Sequence, residues 1–272
     1  MDPAVLAREL IAACGIPVAE ARMLLAHVLG VARVSLIARP SMPVPAAAAT
    51  QFHDLCRRRA AGEPVAYLLG EREFFGRAFS VDASVLVPRP ETEGVVALAL
   101  ELLHGRHDPT LVDLGTGSGC IAITLALERP NAQVWATDLS LAALQRAGAN
   151  ADLLRARVNF VHSNWYVDLP GRFDLIVSNP PYIAAGDRHL ATLTAEPKMA
   201  LTDDGDGLSC LRTVIAGAAD HLTGGGALLV EHGFDQATDV RRLMEQSGLR
   251  AAQTRTDLAG LERASFAYLQ SA

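Results

Sequence analysis

The chain has 272 residues, of which half are hydrophobic and a fifth are charged, and its formal net charge is −6. This length and composition are typical of one large packed domain or of two unequal ones. The acidic balance argues against a broad phosphate-binding surface, although it leaves room for a local basic patch.

The cysteines and the N-terminal residues bear on the compartment. The four cysteines are widely spaced and form no Cys-x-x-Cys pair, and no histidines accompany them in a metal-binding pattern. We therefore expect free thiols in a reducing cytoplasm and no metal site. The N-terminus shows no signal-peptide pattern and no apolar run reaches membrane-spanning length, so we predict no membrane segment.

The first 70 residues have the pattern of a small helical bundle. Asp2-Pro3 is a good helix start, and the pattern predicts a helix from there to about Ala13. A second helix is predicted over 18–29, with Gly30 placed to end it. Shorter helices are predicted at 33–37 and 46–61. We assign residues 1–70 to one helical domain.

Residues 71–87 are predicted to be a β-hairpin linker. Aromatic residues flank Gly76 there, which is typical of two short strands joined by a turn. The next segment, Val-Pro-Arg-Pro-Glu-Thr-Glu at 87–93, predicts the start of a helix that continues to about Leu103, because proline and acidic residues favour a first helical turn. A place at the mouth of a cofactor site is the alternative role of this segment.

After Pro109, apolar strands alternate with helices. Strands are predicted at 111–114, 133–137, 158–162, 173–178, 227–231, 251–256 and 264–269, and helices at 119–128, 140–150, 208–221 and 235–246. This alternation is typical of a doubly wound α/β domain, which we assign to residues 88–272. A loop alone joins the last two strands, which predicts an antiparallel hairpin at one sheet edge.

A glycine-rich turn follows the first strand of this domain. Its residues are Gly115, Thr116, Gly117, Ser118 and Gly119, and Asp138 ends the next strand. Glycines let a ligand approach the backbone, and an acidic residue at that position can accept hydrogen bonds from ribose hydroxyls. The Gly-x-Gly-x-Gly spacing differs from the dinucleotide pattern and suits S-adenosylmethionine. An empty turn and a nicotinamide cofactor are the alternatives.

Trp165 follows the third predicted strand, in a loop position where doubly wound folds contact ligands. Its ring could lie against an adenine, and the alternative is that it only covers the sheet edge. We assign it to the cofactor site.

The fourth strand runs directly into Asn179-Pro180-Pro181-Tyr182. Because neither proline has a backbone N–H, this loop offers hydrogen-bond acceptors without donors. The Asn179 carbonyl and the backbone carbonyls suit a planar group with an –NH2, and the Tyr182 ring can stack on that plane. The pattern therefore predicts a binding site for an amide or an exocyclic amine. An ordinary proline turn is the alternative.

Seven motifs resemble the HemK/PrmC family, which methylates the glutamine of the Gly-Gly-Gln motif in class I peptide chain release factors. They lie at 62–70, 73–76, 87–93, 113–119, 178–183, 196–197 and 231–233. The resemblance implies a class I S-adenosylmethionine-dependent methyltransferase fold with a seven-stranded sheet. Ala195 and Leu261-Glu262-Arg263 depart from the family pattern, which puts local packing or partner contact in doubt.

The resemblance also implies roles for individual residues. Asn179, Pro180 and Tyr182 would be catalytic, and with Pro181 they would bind the substrate glutamine. Asn179 would also contact the cofactor. Residues 1–70 would grip the release factor, and we expect a cytoplasmic monomer that binds no nucleic acid directly.

Two other functions stay open at this point. Adenine-N6 DNA methyltransferases share the Asn-Pro-Pro-Tyr motif, but the acidic balance supplies no evident phosphate-binding surface. A catalytically silent cofactor-binding partner protein is the other alternative, and the presence of Asn179 and Tyr182 argues against it.

Overall fold

The structure is a computed structural model that describes residues 5–271, and the chain divides into two compact units between Glu71 and Arg72. The first unit is mostly helical. Its elements are β1 (Val5–Leu6), α1 (Ala7–Ala13), α2 (Val18–Leu29), α3 (Arg33–Ala38), β2 (Pro43–Val44), α4 (Ala46–Ala60) and α5 (Val65–Leu69). Apolar side chains of α1, α2 and α4, among them Leu24, Leu25 and Phe52, form its core.

The predicted helices of this unit are present, with two differences. Helix α1 begins at Ala7, because the preceding Val5–Leu6 pairs with Pro43–Val44. Asp2 and Pro3, the predicted start, lie outside the described residues. Helix α5 was not predicted; it is one short turn between Pro64 and a left-handed Gly70. Gly30 ends α2 in the left-handed conformation, as predicted.

The predicted hairpin consists of β3 (Glu71–Phe74) and β4 (Arg77–Ser80). Phe75 and Gly76 form its turn, with φ angles of 50° and 72°. Two successive positive φ angles are typical of the tight turns whose twist matches that of paired strands. The helix predicted from the proline-rich segment is α6 (Thr92–Leu102).

The second unit contains a seven-stranded sheet flanked by helices. Its strands are β5 (Thr110–Leu114), β6 (Gln133–Asp138), β7 (Asn159–His162), β8 (Phe173–Ser178), β9 (Leu222–Glu231), β10 (Arg250–Thr256) and β11 (Glu262–Tyr268). The helices between them are α7 (Cys120–Glu128), α8 (Leu141–Leu154), α9 (Ser209–His221) and α10 (Ala237–Gln246), with short 3₁₀ helices at Arg188–Thr192 and Lys198–Ala200.

The strand order is β10-β11-β9-β8-β5-β6-β7. Strands β9, β8, β5, β6 and β7 are parallel, whereas β11 is antiparallel to both β9 and β10. The predicted doubly wound sheet and its edge hairpin are confirmed. The chain reverses its direction of travel across the sheet between β5 and β8, which is where folds of this kind bind ligands.

Two hydrophobic cores cover the faces of the sheet. Helices α6, α7 and α8 pack on one face, with Val96, Ile123 and Leu175 fully buried there. Helices α9 and α10 pack on the other face. Burial on both faces explains the apolar runs 175–177 of β8 and 227–230 of β9. Within residues 5–271 no helix combines the length and the hydropathy that spanning a bilayer requires.

Candidate active site

A cavity of about 550 Å³ opens at the carboxyl ends of the parallel strands. Volumes of this order are typical of small-molecule sites. Eight of the predicted site residues line it: Gly115, Thr116, Gly117, Ser118, Asp138, Trp165, Asn179 and Pro181. Gly119, Pro180 and Tyr182 do not belong to the lining residues. The fold thus brings together residues from the ends of β5, β6, β7 and β8.

The glycine loop is held by the neighbouring strand. The N–H groups of Gly115 and Thr116 both donate to the Thr137 carbonyl, at 2.9 and 2.8 Å. Gly115 and Gly117 have φ angles of 74° and 56°, which glycine adopts without steric cost. These bonds set the backbone of the loop at the cavity wall.

Gly119 serves packing at the start of α7. It is the N-cap residue in the left-handed conformation. A Cβ atom at this position would lie 2.7 Å from Cδ1 of Ile123 and 3.1 Å from Cβ of Ala147. The third glycine of the pattern therefore allows close approach of α7 and α8, whereas the first two border the cavity.

Asp138 lies between the glycine loop and α8. One carboxylate oxygen accepts from the Gly117 N–H at 2.9 Å, and the other accepts from the Ser140 N–H at 2.8 Å. Burial raises the pKa of Asp138, against the lowering effect of these donors. A carboxylate oxygen can accept more than one hydrogen bond, so Asp138 can still accept from a ligand hydroxyl.

Asp113 supports the loop from beneath. Its Oδ2 accepts from Oγ1 of Thr116 at 2.7 Å and from the N–H of Ala122 at 3.2 Å. Burial raises the pKa of Asp113 to about 7. Both contacts are structural, so Asp113 braces the turn and the first residues of α7.

Asn150 is a functional support that the sequence did not reveal. This residue of α8 is fully buried, and its Nδ2 donates to the carbonyls of Ser118 and Ser80, at 2.9 and 3.0 Å. Its Oδ1 accepts from the Ser80 N–H at 2.8 Å. Asn150 thereby ties strand β4 to the glycine loop. The available signal was an asparagine inside a helix, where its propensity is poor.

Trp165 lies beside the first glycine of the loop. A Cβ atom at Gly115 would lie 3.5 Å from Cζ3 of the indole. Trp165 has a φ angle of 55°, and its carbonyl accepts from the Ser163 hydroxyl at 3.2 Å. Left-handed backbone is unusual for a bulky residue and indicates that the surrounding loop holds the ring in place.

The Asn-Pro-Pro-Tyr segment is fixed by three neighbours. Nδ2 of Asn179 donates to Oγ1 of Thr92 at 3.4 Å. The Tyr182 hydroxyl donates to Oε1 of Glu231 at 3.3 Å, and the Tyr182 carbonyl accepts from Nε2 of Gln236 at 3.0 Å. Burial raises the pKa of Tyr182, which keeps the phenol protonated and able to donate.

Glu196 connects two walls of the cavity. Its Oε2 accepts from the Val87 N–H at 3.0 Å, and its Oε1 pairs with Nη2 of Arg89 at 2.5 Å. The segment before α6 lines the cavity through Ser84, Val85 and Leu86, and Thr92 at the start of α6 lines it as well. The loop after Glu196 lines it from Pro197 to Ala200. The contacts of Glu196 are those of a residue that braces two loops.

The acidic lining suits a cationic ligand. Asp203 and Asp204 line the cavity together with Asp138, and Lys198 is paired with Asp204 at 2.5 Å. S-adenosylmethionine carries a sulfonium and an ammonium group, so the cavity fits it in volume, in charge and in the backbone access that Gly115 and Gly117 provide. No cluster of residues suited to a metal ion occurs within the described part of the chain.

Comparisons with known proteins identify the family of the chain. The PrmC N-terminal domain family matches residues 5–70, and the methyltransferase small domain family matches residues 93–208. The chain is 52% identical to the release factor glutamine methyltransferase of Bordetella pertussis, with 97% of this chain and 99% of the relative covered. It is 50% identical to that of Burkholderia pseudomallei, with 95% and 94% covered.

A solved structure shows the same fold. The crystal structure of a methyltransferase from Pyrococcus furiosus matches with a TM-score of 0.54 and 19% identity, over 79% of this chain and 98% of that chain. Together the sheet topology and the cavity define a class I S-adenosylmethionine-dependent methyltransferase. The chain belongs to the family of release factor glutamine methyltransferases. The predicted family, enzyme class and cofactor are thereby confirmed.

Proposed function

We propose that this enzyme transfers the methyl group of S-adenosylmethionine to the side-chain amide nitrogen (N5) of the glutamine in the Gly-Gly-Gln motif of class I peptide chain release factors. The names of the relatives support the acceptor. The observation that carries the chemistry is the Asn179 amide, which borders the cavity with its Nδ2 directed at Thr92. Its carbonyl oxygen therefore lies on the opposite side of the amide, free to accept from a substrate.

The cofactor would be held by residues from three strand ends. The backbone of Gly115 to Ser118 would face its amino acid portion, Asp138 would accept from the ribose hydroxyls, and Trp165 would flank the adenine. The cofactor, when bound, supplies an electrophilic methyl group on a sulfonium centre. The carboxylates at the cavity favour that cation.

The acceptor glutamine would be held by the Asn-Pro-Pro-Tyr segment. Oδ1 of Asn179 and the backbone carbonyl of Pro180 accept the two amide N–H bonds, and Pro181 and Tyr182 pack against the amide. An amide nitrogen is a weak nucleophile, because its lone pair is delocalised into the carbonyl. Catalysis therefore depends on positioning and on electrostatic enrichment of the nitrogen. No general base is required, since the nitrogen can lose its proton after methylation.

The domain roles belong to the same proposal. Residues 1–70 form the helical domain that recognises the release factor, residues 71–87 form the hairpin linker, and residues 88–272 form the methyltransferase domain. We propose that the enzyme acts as a cytoplasmic monomer that binds no nucleic acid directly. Light scattering should then give a mass near 28.8 kDa in the absence of substrate.

The test is methyl transfer from labelled S-adenosylmethionine to three acceptors under the same conditions. These are a purified class I release factor, its Gly-Gly-Ala version and an adenine-containing DNA duplex. We expect label only on the protein with the glutamine. Equal labelling of the Gly-Gly-Ala protein would refute the assigned atom. Label on the duplex would instead establish a DNA adenine methyltransferase.

A further inference from the structure

The Asn179 amide belongs to a network of polar side chains that also includes Tyr182, the last residue of the Asn-Pro-Pro-Tyr segment. Its Nδ2 donates to Oγ1 of Thr92 at 3.4 Å. Thr92 interacts with Glu231 and lowers the pKa of that carboxyl. Oε1 of Glu231 accepts from the Tyr182 hydroxyl at 3.3 Å. Two members of the Asn-Pro-Pro-Tyr segment are thus connected through two residues outside it.

The strand register explains how these side chains meet. Strands β8 and β9 are parallel neighbours in which Ser178 pairs with Val230. Asn179 directly follows Ser178 at the end of β8, and Glu231 follows Val230 as the last residue of β9, so the two residues lie side by side at this edge of the sheet. Thr92 is the first residue of α6, which packs against these strands. The contact is therefore built by the sheet and not by a mobile loop.

The burial of Thr92 and Glu231 is expected to lower the stability of the fold. Glu231 is 0% exposed and Thr92 is 2% exposed. Oε2 of Glu231 has no hydrogen-bond partner within residues 5–271. A buried carboxyl with incomplete partners destabilises a fold relative to a well-packed apolar residue. Stability alone therefore does not account for a glutamate at this position.

The direction of the hydrogen bonds suggests a role for Thr92 and Glu231. The two ends of an asparagine amide have almost the same shape, so packing alone does not distinguish one orientation from the other. A threonine hydroxyl has a single proton. If that proton is directed to Glu231, the remaining lone pairs of Thr92 can only accept, and they select the NH2 end of Asn179 over its carbonyl.

We propose that Thr92 and Glu231 are positioning residues that fix the orientation of the Asn179 amide, with Oδ1 directed to the acceptor. This inference rests on the proposed function, because it assigns the free carbonyl of Asn179 to the substrate amide. The Tyr182 hydroxyl donates to Oε1 of Glu231 and so completes the network. Neither Thr92 nor Glu231 contacts the reacting nitrogen in this scheme.

The test replaces the Thr92 hydroxyl without changing the shape of the side chain. Thr92→Val should lower kcat by about tenfold, the effect of one lost hydrogen bond of ordinary strength. The affinity for S-adenosylmethionine, measured by calorimetry without release factor, should stay within about threefold. Thr92→Ser keeps the hydroxyl and should retain kcat within about threefold of the wild type.

Thr124→Val is the matched control. Thr124 lies in α7 and is also fully buried, and its Oγ1 has no hydrogen-bond partner among the described residues. Thermal unfolding of every variant shows whether it is folded. Should Thr92→Val not fold, Glu231→Gln tests the same network, because a carboxamide no longer forces the Thr92 proton toward residue 231; we expect lowered kcat with unchanged cofactor affinity.

The outcomes separate the two proposals. A wild-type enzyme that does not methylate the release factor overturns the proposed function and this inference with it. With wild-type turnover present, normal kcat in folded Thr92→Val overturns the inference alone. So does a fall in cofactor affinity as large as the fall in kcat, or a loss in Thr124→Val equal to that in Thr92→Val. Rescue by Thr92→Ser together with a selective fall in kcat supports it.

Discussion

The two ends of the cavity are built in different ways. At the glycine loop, backbone groups bond to residues about 20 positions away: Gly115 and Thr116 to Thr137, and Gly117 to Asp138. At the Asn-Pro-Pro-Tyr end, side chains distant in sequence meet, since Thr92 and Asn179 are 87 residues apart. Backbone support tolerates many side-chain changes, whereas a side-chain network fails when one member is replaced. Substitutions at the first end should therefore affect cofactor binding and stability, and those at the second end should affect turnover.

Asn179→Ala should have the largest effect and tests the acceptor end alone. Removal of the carbonyl that accepts the substrate amide should lower kcat by about a hundredfold or more, as loss of a preorganised acceptor does. Cofactor affinity should change by only a few-fold, which calorimetry with S-adenosylmethionine would measure. Asn131→Ala, exposed in the loop before β6, is the control. Near-normal turnover of Asn179→Ala would refute the assigned role.

Each end of the cavity contains one buried carboxyl whose titration should make the stability of the protein depend on pH. Burial raises the pKa of Glu231 from 4.5 to about 7, while Glu91 raises it further and Thr92, Tyr182 and Arg263 lower it. Burial likewise raises the pKa of Asp113 from 3.8 to about 7, with Asp138 adding to the rise and Thr116 and the Ala122 N–H opposing it. The folded state then binds more protons than the unfolded state between about pH 4 and pH 7. The free energy of unfolding therefore falls as pH rises through this window.

Replacing either carboxyl by a neutral amide should remove its share of this fall in the free energy of unfolding. Relative to wild type, Glu231→Gln and Asp113→Asn should each gain stability between pH 5 and pH 8, on the order of 2 kcal/mol. Urea denaturation at both pH values measures the difference. Glu245→Gln removes an exposed carboxylate of α10 and is the control. If a variant differed from wild type by the same free energy of unfolding at both pH values, the replaced carboxyl would not titrate in this window.

Gly119→Ala tests the packing role of the third glycine. The added methyl group would meet Cδ1 of Ile123 at 2.7 Å and Cβ of Ala147 at 3.1 Å, and the φ angle of 82° disfavours alanine. We expect a loss of about 2 kcal/mol in the free energy of unfolding. Gly117→Ala is matched in backbone conformation but meets no atom within 4 Å. It should lose about 1 kcal/mol from backbone strain alone. Equal losses for both would remove the packing explanation.

The same contrast explains what the sequence could predict. Strand β8 and helix α2 have the predicted bounds, Phe173–Ser178 and Val18–Leu29, because periodicity and local end signals define them. The glycine loop and Asp138 are likewise local features that a strand-turn-helix pattern places. The motifs that resemble a known family predicted Asn179 as a site residue but not the residues that contact it.

Long-range contacts account for the rest. The start of α1 is set by residues 43–44, which pair with Val5–Leu6, and no pattern near residue 3 indicates this. Strand β9 starts at Leu222, five residues before its predicted start, although Gly224, Gly225 and Gly226 make that segment look like a loop. Thr92 looked like an ordinary first-turn residue of a helix. Only the folded structure shows that its hydroxyl accepts a hydrogen bond from the Asn179 amide.

Glu196→Gln has the smallest expected effect and tests the connection between the two ends. The Glu196 side chain is 3% exposed and accepts from Arg89 and from the Val87 N–H. A glutamine keeps the shape and one carbonyl, so the backbone bond can persist while the charge-assisted bond to Arg89 weakens by about 1 kcal/mol. The cavity wall formed by residues 84–87 is then held less firmly. Cofactor affinity should fall by about fivefold, because ordering that wall is then required on binding.

The control is an ion pair away from the cavity. Asp239→Asn weakens a pair between Asp239 and Arg242 on α10, whose side chains are 44% and 64% exposed. Exposed pairs contribute little, so cofactor affinity should not change. Calorimetry with S-adenosylmethionine measures both variants. If Glu196→Gln bound the cofactor as wild type does but lost turnover, Glu196 would act on the acceptor end through Arg89 and α6, and the cofactor end would not depend on it.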